Sequence, residues 1–224
     1  MERLTLADEL VLLAYDDAGV NRLGRPALDH GLAGAVLVEL TLARRVDLAD
    51  DRLVVRDSTP TGQPLLDAAL ATIGADGRRR SPRDWIPRLA KSLADEVLTG
   101  LVAAGVLRRE ADRVLWVFPR TRYPSPDGGQ PPAEAAARQR MTAALLGDGP
   151  VDAHTAGLLA LTRAVGLDRR LFPEVPKDRL RSRLDEIAAG DWASAATKKA
   201  IEQTQAALLI ATTAATTAAF VAST

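Results

Sequence analysis

The chain has no cysteine, which removes disulfides, thiolate nucleophiles and thiolate metal centres from the outset. Histidine is almost as scarce: His30 and His154 stand apart, without HExxH spacing, so metal ligation has no footing. Lysine occurs only at Lys91, Lys177, Lys198 and Lys199, and arginine supplies the rest of the positive charge. The 29 basic and 29 acidic side chains cancel. No global field therefore draws the chain to nucleic acid or anionic lipid, and any such attraction is local. The phosphate loops GxGxxG and GxxxxGK are absent, as is the GxSxG nucleophile elbow. The expectation is a non-enzymatic protein that needs no cofactor. Acids precede the first apolar run and no secretory cleavage pattern follows it, so a cytoplasmic location is expected.

What the chain does have is a long apolar stretch, Asp29–Arg45, around which the rest is organised. From Gly31 to Leu42 only Glu39 and Thr41 are polar. Those 12 residues are too few to cross a bilayer, which takes roughly 20. A helix apolar on every side belongs in the middle of a globule. Gly31, Gly34 and Ala35 let neighbours come close to its backbone. The β-branched VLVELTL segment leaves a buried strand as the alternative, because periodicity alone does not separate the two; helix is preferred. Glu39 reads as a structural partner of an arginine.

Around this centre, helices are expected at 6–14 and onward towards Gly19, at 65–73, from Ser81 to Gly105, at 133–146, from Asp152 to Gly166, and at 178–189. Thr5 with Asp8 and Ser81 with Asp84 are capping boxes, and Pro87 interrupts the Ser81 helix or begins a new one. The C-terminal 195–221 segment reads as a core helix. Val46/Leu48 and Leu53/Val55 alternate about Ala49-Asp50-Asp51 as a β-hairpin. A second hairpin is read over RREADRVLWVFPR, its return strand beginning at Asp112-Arg113-Val114, with Val114, Trp116 and Phe118 on one face. The fold class is mainly α: a single globular domain, residues 1–224, with a buried central helix surrounded by amphipathic helices and two small β-hairpins.

In this order the segments GLAGAVLVEL (31–40), PTGQPLLDAAL (60–70), DWI (84–86) and LVAAGVL (101–107) with its hairpin resemble the Golgi phosphoprotein 3 family, in a bacterial version. The resemblance implies a peripheral protein at the cytosolic, inner face of a membrane. It implies binding of phosphatidylinositol 4-phosphate and of the cytosolic tails of glycosyltransferases, and self-association through the second hairpin. Carried over residue by residue, the eukaryotic lipid pocket changes. Gly24 stands for its tryptophan, Ala33 for the arginine in the Gly31–Gly34 turn, and Lys91 and Ala94 for two arginines on the next long helix. One cation of that set remains, and lysine offers phosphate a point charge where arginine offers a fork.

Two basic groups are therefore candidates. Arg22 and Arg25 flank the tryptophan position and, with Lys91 and Arg88, are the candidate lipid-headgroup ligands. The densest run, Arg78, Arg79, Arg80 and Arg83, reads as a stretch for an anionic phospholipid surface, or alternatively as a solvated charged face. Trp85 within it is either an interfacial anchor or core. Trp116 and Phe118 are read as a homo-oligomer contact, with core as the alternative. The functional expectation is an adaptor binding anionic headgroups and protein partners. The rivals are a soluble protein-interaction protein and a winged-helix nucleic-acid binder. The zero net charge, with arginines in a loop and no basic recognition helix, argues against nucleic acid.

Overall fold

The computed structural model describes the backbone of residues 4–114 and 118–221, with side chains over 4–111 and 120–213. Helix α1 (Leu6–Ala14) begins at the expected capping box: the Asp8 amide donates to Thr5 Oγ1, and Thr5 N–H and O–H donate to the Asp8 carboxylate at 2.9 and 2.7 Å. Leu6, Ala7, Leu10, Val11, Leu12 and Leu13 are all buried, so α1 is an interior helix and not the one-faced helix its spacing suggests. It stops at Tyr15, short of Gly19. Gly19 has φ +73, and a Cβ there would lie 2.3 Å from Pro124 N. Its carbonyl accepts the Tyr123 amide at 2.9 Å, so two distant loops meet backbone to backbone.

The central stretch is helix α2 (Arg25–Leu42), entered through Gly24 at φ +80 with Pro26 in its first turn. Residues 31–38 are buried without exception, which removes the strand alternative. A Cβ on Gly31 would lie 2.9 Å from Val165 Cγ1, and one on Gly34 would lie 2.5 Å from Leu208 Cδ1. Half-buried Glu39 accepts the Leu6 amide at 2.6 Å, satisfying one of the orphan N–H groups that open α1.

Strands β1 (Val46–Ala49) and β2 (Arg52–Val55) form the first hairpin in the expected place, Val46 opposite Val55 and Ala49 opposite Arg52. Asp50 and Asp51 turn it at φ +50 and +58, the positive pair that a two-residue hairpin turn requires. Helix α3 (Pro64–Ala75) follows. Helix α4 (Pro82–Leu89) opens on the Ser81–Asp84 capping box and runs through Pro87 without a break. The corner comes later, at Ser92, whose φ is +65, and α5 (Leu93–Ala103) follows it.

The second hairpin differs in register from expectation. Strands β3 (Glu110–Val114) and β4 (Phe118–Arg122) pair Glu110 with Arg122 and Val114 with Phe118. Asp112-Arg113-Val114 thus belongs to the outgoing strand, not the return strand. Trp116 lies outside the described residues, as does the Phe118 side chain, and so does the contact expected of them.

Helices α6 (Pro132–Leu146), α7 (Ala153–Ala164), α9 (Lys177–Ala189) and α10 (Ala195–Val221) fall where expected. A four-residue α8 (Asp168–Leu171) was not anticipated. Helices α1, α4, α5, α7 and α10 pack directly against α2, making the mainly α architecture with two small hairpins at its margin. Leu208 against Gly34, and Ala196 and Thr197 beside Leu42, set α10 antiparallel to α2.

Candidate anion-binding surface

On α4 and its extension, successive residues step by about 100°, so Arg83, Asp84, Pro87, Arg88 and Lys91 occupy one arc of about 140°. All five are exposed, and Pro82, Trp85, Ile86, Leu89 and Ala90 fill the opposite, buried side. Trp85 is 2% exposed, which makes it core and not an interfacial anchor. Arg78 and Arg79 are exposed on the preceding loop, which is fixed where the Leu53 amide donates to the Arg80 carbonyl at 2.7 Å. Among the described residues, no carboxylate lies within ion-pair distance of Arg78, Arg79, Arg83, Arg88 or Lys91. Asp84, the one acid of the arc, is engaged by Ser81 and by Arg52 at 3.7 Å.

The remaining candidates have their charge answered inside the chain. Arg80 donates from Nε to Asp76 at 2.6 Å, and this bond holds the Asp76 carboxyl below the usual carboxylate range. Arg22 is paired with Asp16. Arg25 forks onto both oxygens of Asp95 at 3.0 and 3.1 Å, with Asp29 at 3.6 Å from Nε. The loop before α2 does therefore lie over α5, but two carboxylates hold its guanidinium. Burial raises the Asp29 carboxyl against the pull of Arg25, and burial lowers His30. Burial likewise pushes the neighbouring Tyr15 hydroxyl up to about 12. Ala33 and Ala94, which stand where the resembled pocket has arginines, are both wholly buried. Interior alanines at both positions leave Lys91 as the remaining cation of that set.

A polar cluster that sequence spacing did not reveal lies inside the fold. Glu9 of α1, 6% exposed, accepts from Arg140 Nη2 of α6 at 2.6 Å and lies 3.0 Å from His154 Nε2 of α7. Burial would raise the Glu9 carboxyl, but the bonds to His154 and Arg140 outweigh it and hold it below the ordinary value. The three residues come from separate helices, up to 145 positions apart, so no local motif announces them. All three are used up in pairing one another, an arrangement that ties helices together. Among the described residues, no group of three or more His, Cys, Asp or Glu side chains is placed to hold a metal ion.

Three clefts of similar size open on the surface. One of about 540 Å³ lies between the end of α2 and the start of α10, beside Arg44 and Trp192. A second of about 470 Å³ lies between α1, α3 and α5, with Leu65, Val97, Leu101 and Val106 in its wall and Asp8 and Glu96 at its rim. The third, about 520 Å³, runs between α7, α9 and α10. Among the described residues, no helix is long and apolar enough to cross a membrane.

The fold thus has an apolar central helix wrapped by others, hairpins after α2 and α5, and an arc of α4 that carries exposed cations. A family model described as Golgi phosphoprotein 3 (GPP34) matches residues 6–204, nearly the whole of this architecture. The chain belongs to the Golgi phosphoprotein 3 (GPP34) family.

Proposed function

We propose that this protein is a non-enzymatic adaptor that docks peripherally, from the cytoplasmic side, on a membrane rich in anionic phospholipid. The observation that carries the reading is the group Arg78, Arg79, Arg83, Arg88 and Lys91, exposed and with no carboxylate within ion-pair distance among the described residues. Each such cation near an anionic bilayer contributes on the order of 1 kcal/mol, so five together suffice for reversible docking. Arg88 and Lys91 are the headgroup ligands of this proposal. Arg22 and Arg25 sit at its edge with their charge already matched. Protein partners fit the cleft between α1, α3 and α5, whose apolar wall and acidic rim suit a short segment carrying both apolar and basic residues. Self-association through the second hairpin belongs to the same proposal and multiplies weak contacts.

Sedimentation with phosphatidylcholine vesicles, with and without phosphatidylserine, tests the docking. Binding is expected only with the anionic lipid, and it should fall as salt is raised. Replacing Arg79, Arg83, Arg88 and Lys91 together by Ala should weaken it by roughly a hundredfold or more. Arg80→Ala and Arg22→Ala should change it by less than about threefold, since those charges are matched internally. Equal binding of the fourfold variant and the parent chain would refute the strip.

A further inference from the structure

The first hairpin fixes how α4 and α10 lie against each other. Arg52 reaches Asp84 in the first turn of α4, and the adjacent Asp51 accepts from Lys199 at 3.0 Å and Gln203 at 2.6 Å on α10. One turn therefore ties the first turn of α4 to the Lys199–Gln203 turn of α10. Arg25 on Asp95 places the far end of α4 at the start of α2, the end towards which α10 also runs. From these ties α4 runs to its end at Leu89, and α10 runs on past Leu209 and Ile210. Leu209 and Ile210, 50% and 45% exposed, are two of the three large apolar side chains that the described surface leaves in water. Helix α10 then continues for eleven residues, Ala211 to Val221.

From Ala206 to Thr224 the sequence AALLIATTAATTAAFVAST contains no charged residue. Thr212 and Thr213, its threonines with described side chains, do not oppose transfer out of water. Thr212 Oγ1 donates to the Leu208 carbonyl at 2.9 Å and Thr213 Oγ1 to the Leu209 carbonyl at 2.8 Å, so both hydroxyls are satisfied within the helix. The stretch also lies beyond residue 204, where the family match ends.

Resting on the docking reading above, we infer that the surface of α10 carrying Leu209, Ile210 and Thr213 is the apolar half of the membrane contact, lying shallowly in the interface of the anionic bilayer that α4 meets with its cations. An interfacial helix usually carries its basic and apolar faces itself. Here the two roles are divided between neighbouring helices: α4 supplies attraction to phosphate, and the end of α10 supplies burial among acyl chains. The occupant is a bilayer because the exposed apolar pair and the uncharged run beyond it belong to the helix packed against α4, and the exposed cations of α4 favour anionic headgroups over a second copy presenting the same cations.

The absence of cysteine makes the test clean. A polarity-sensitive fluorophore on Thr213→Cys of the full chain should shift to the blue on phosphatidylserine-containing vesicles, while the same label on Ser182→Cys of α9 stays unshifted. Leu209→Ser with Ile210→Ser, or removal of residues 211–224, should weaken vesicle binding by about tenfold or more, since each buried methylene contributes. The residual binding at high salt should disappear as well. If the full chain binds anionic vesicles while the Thr213 label stays in water and both variants bind equally well, the inference is overturned and the cationic strip stands alone. If the full chain binds neither vesicle, the docking reading falls and takes this inference with it.

Discussion

Gly34 and Gly100 carry the same residue type for opposite reasons. Gly34 faces Leu208, and an added methyl group would sit 2.5 Å from its Cδ1. Gly34→Ala must push α10 aside and should cost about 1–3 kcal/mol in urea unfolding. Gly100 is exposed on α5 with nothing near, so Gly100→Ala should stabilise by about 0.5–1 kcal/mol through helix propensity alone. The sequence marked Gly34 as a point of close approach, because it interrupts an apolar run. The Glu9 cluster was not legible, since Glu9 reads as an ordinary first-turn acid until α6 and α7 close over it. Glu9→Gln removes a buried carboxylate from Arg140 and His154 and should lower stability at neutral pH by about 1–3 kcal/mol. The Glu9 carboxyl is held lower in the folded state, so its contribution is complete above the ordinary carboxylate range. It is lost as pH falls through the depressed value, and the two unfolding curves should converge in strong acid.

At the level of elements, local chemistry was easy to read and distant chemistry was not. Thr5, Ser81 and Asp152 announce their helices because a cap is settled within three or four residues. Ser81→Ala should cost about 1 kcal/mol of thermal stability. It should also loosen the helix that displays Arg83 and Arg88, reducing vesicle binding less than removal of the cations does. Pro87 misled because proline interior to a helix normally marks its end. Here α4 is short, and its last turn closes with the Ala90 amide on the Ile86 carbonyl at 2.9 Å before Ser92 turns the corner. The first hairpin was placed correctly because Asp50-Asp51 tolerates positive φ. The second carries no such turn signal between Val114 and Phe118, and its expected register slipped by several residues.

For the whole molecule, composition misleads unless it is resolved in space. Net zero charge conceals a partition: Arg22, Arg25, Arg45, Arg80 and Arg140 are absorbed in pairs, whereas the α4 cations, like Arg44 and Lys177 elsewhere, have no carboxylate within ion-pair distance among the described residues. That partition depends on tertiary contacts, so linear charge density ranked Arg80 with Arg79 although their surroundings differ. The interior position of α1 has a further consequence for how the chain is made. Its nine residues are made before every helix they pack against, and His154, which answers Glu9, follows 145 residues later. At roughly 5–20 residues per second, translation leaves Glu9 without His154 for about 7–30 s. Newborn copies of the protein thus carry a carboxylate on an interior helix before its partners exist, and depend on whatever shelters nascent chains until α6 and α7 emerge.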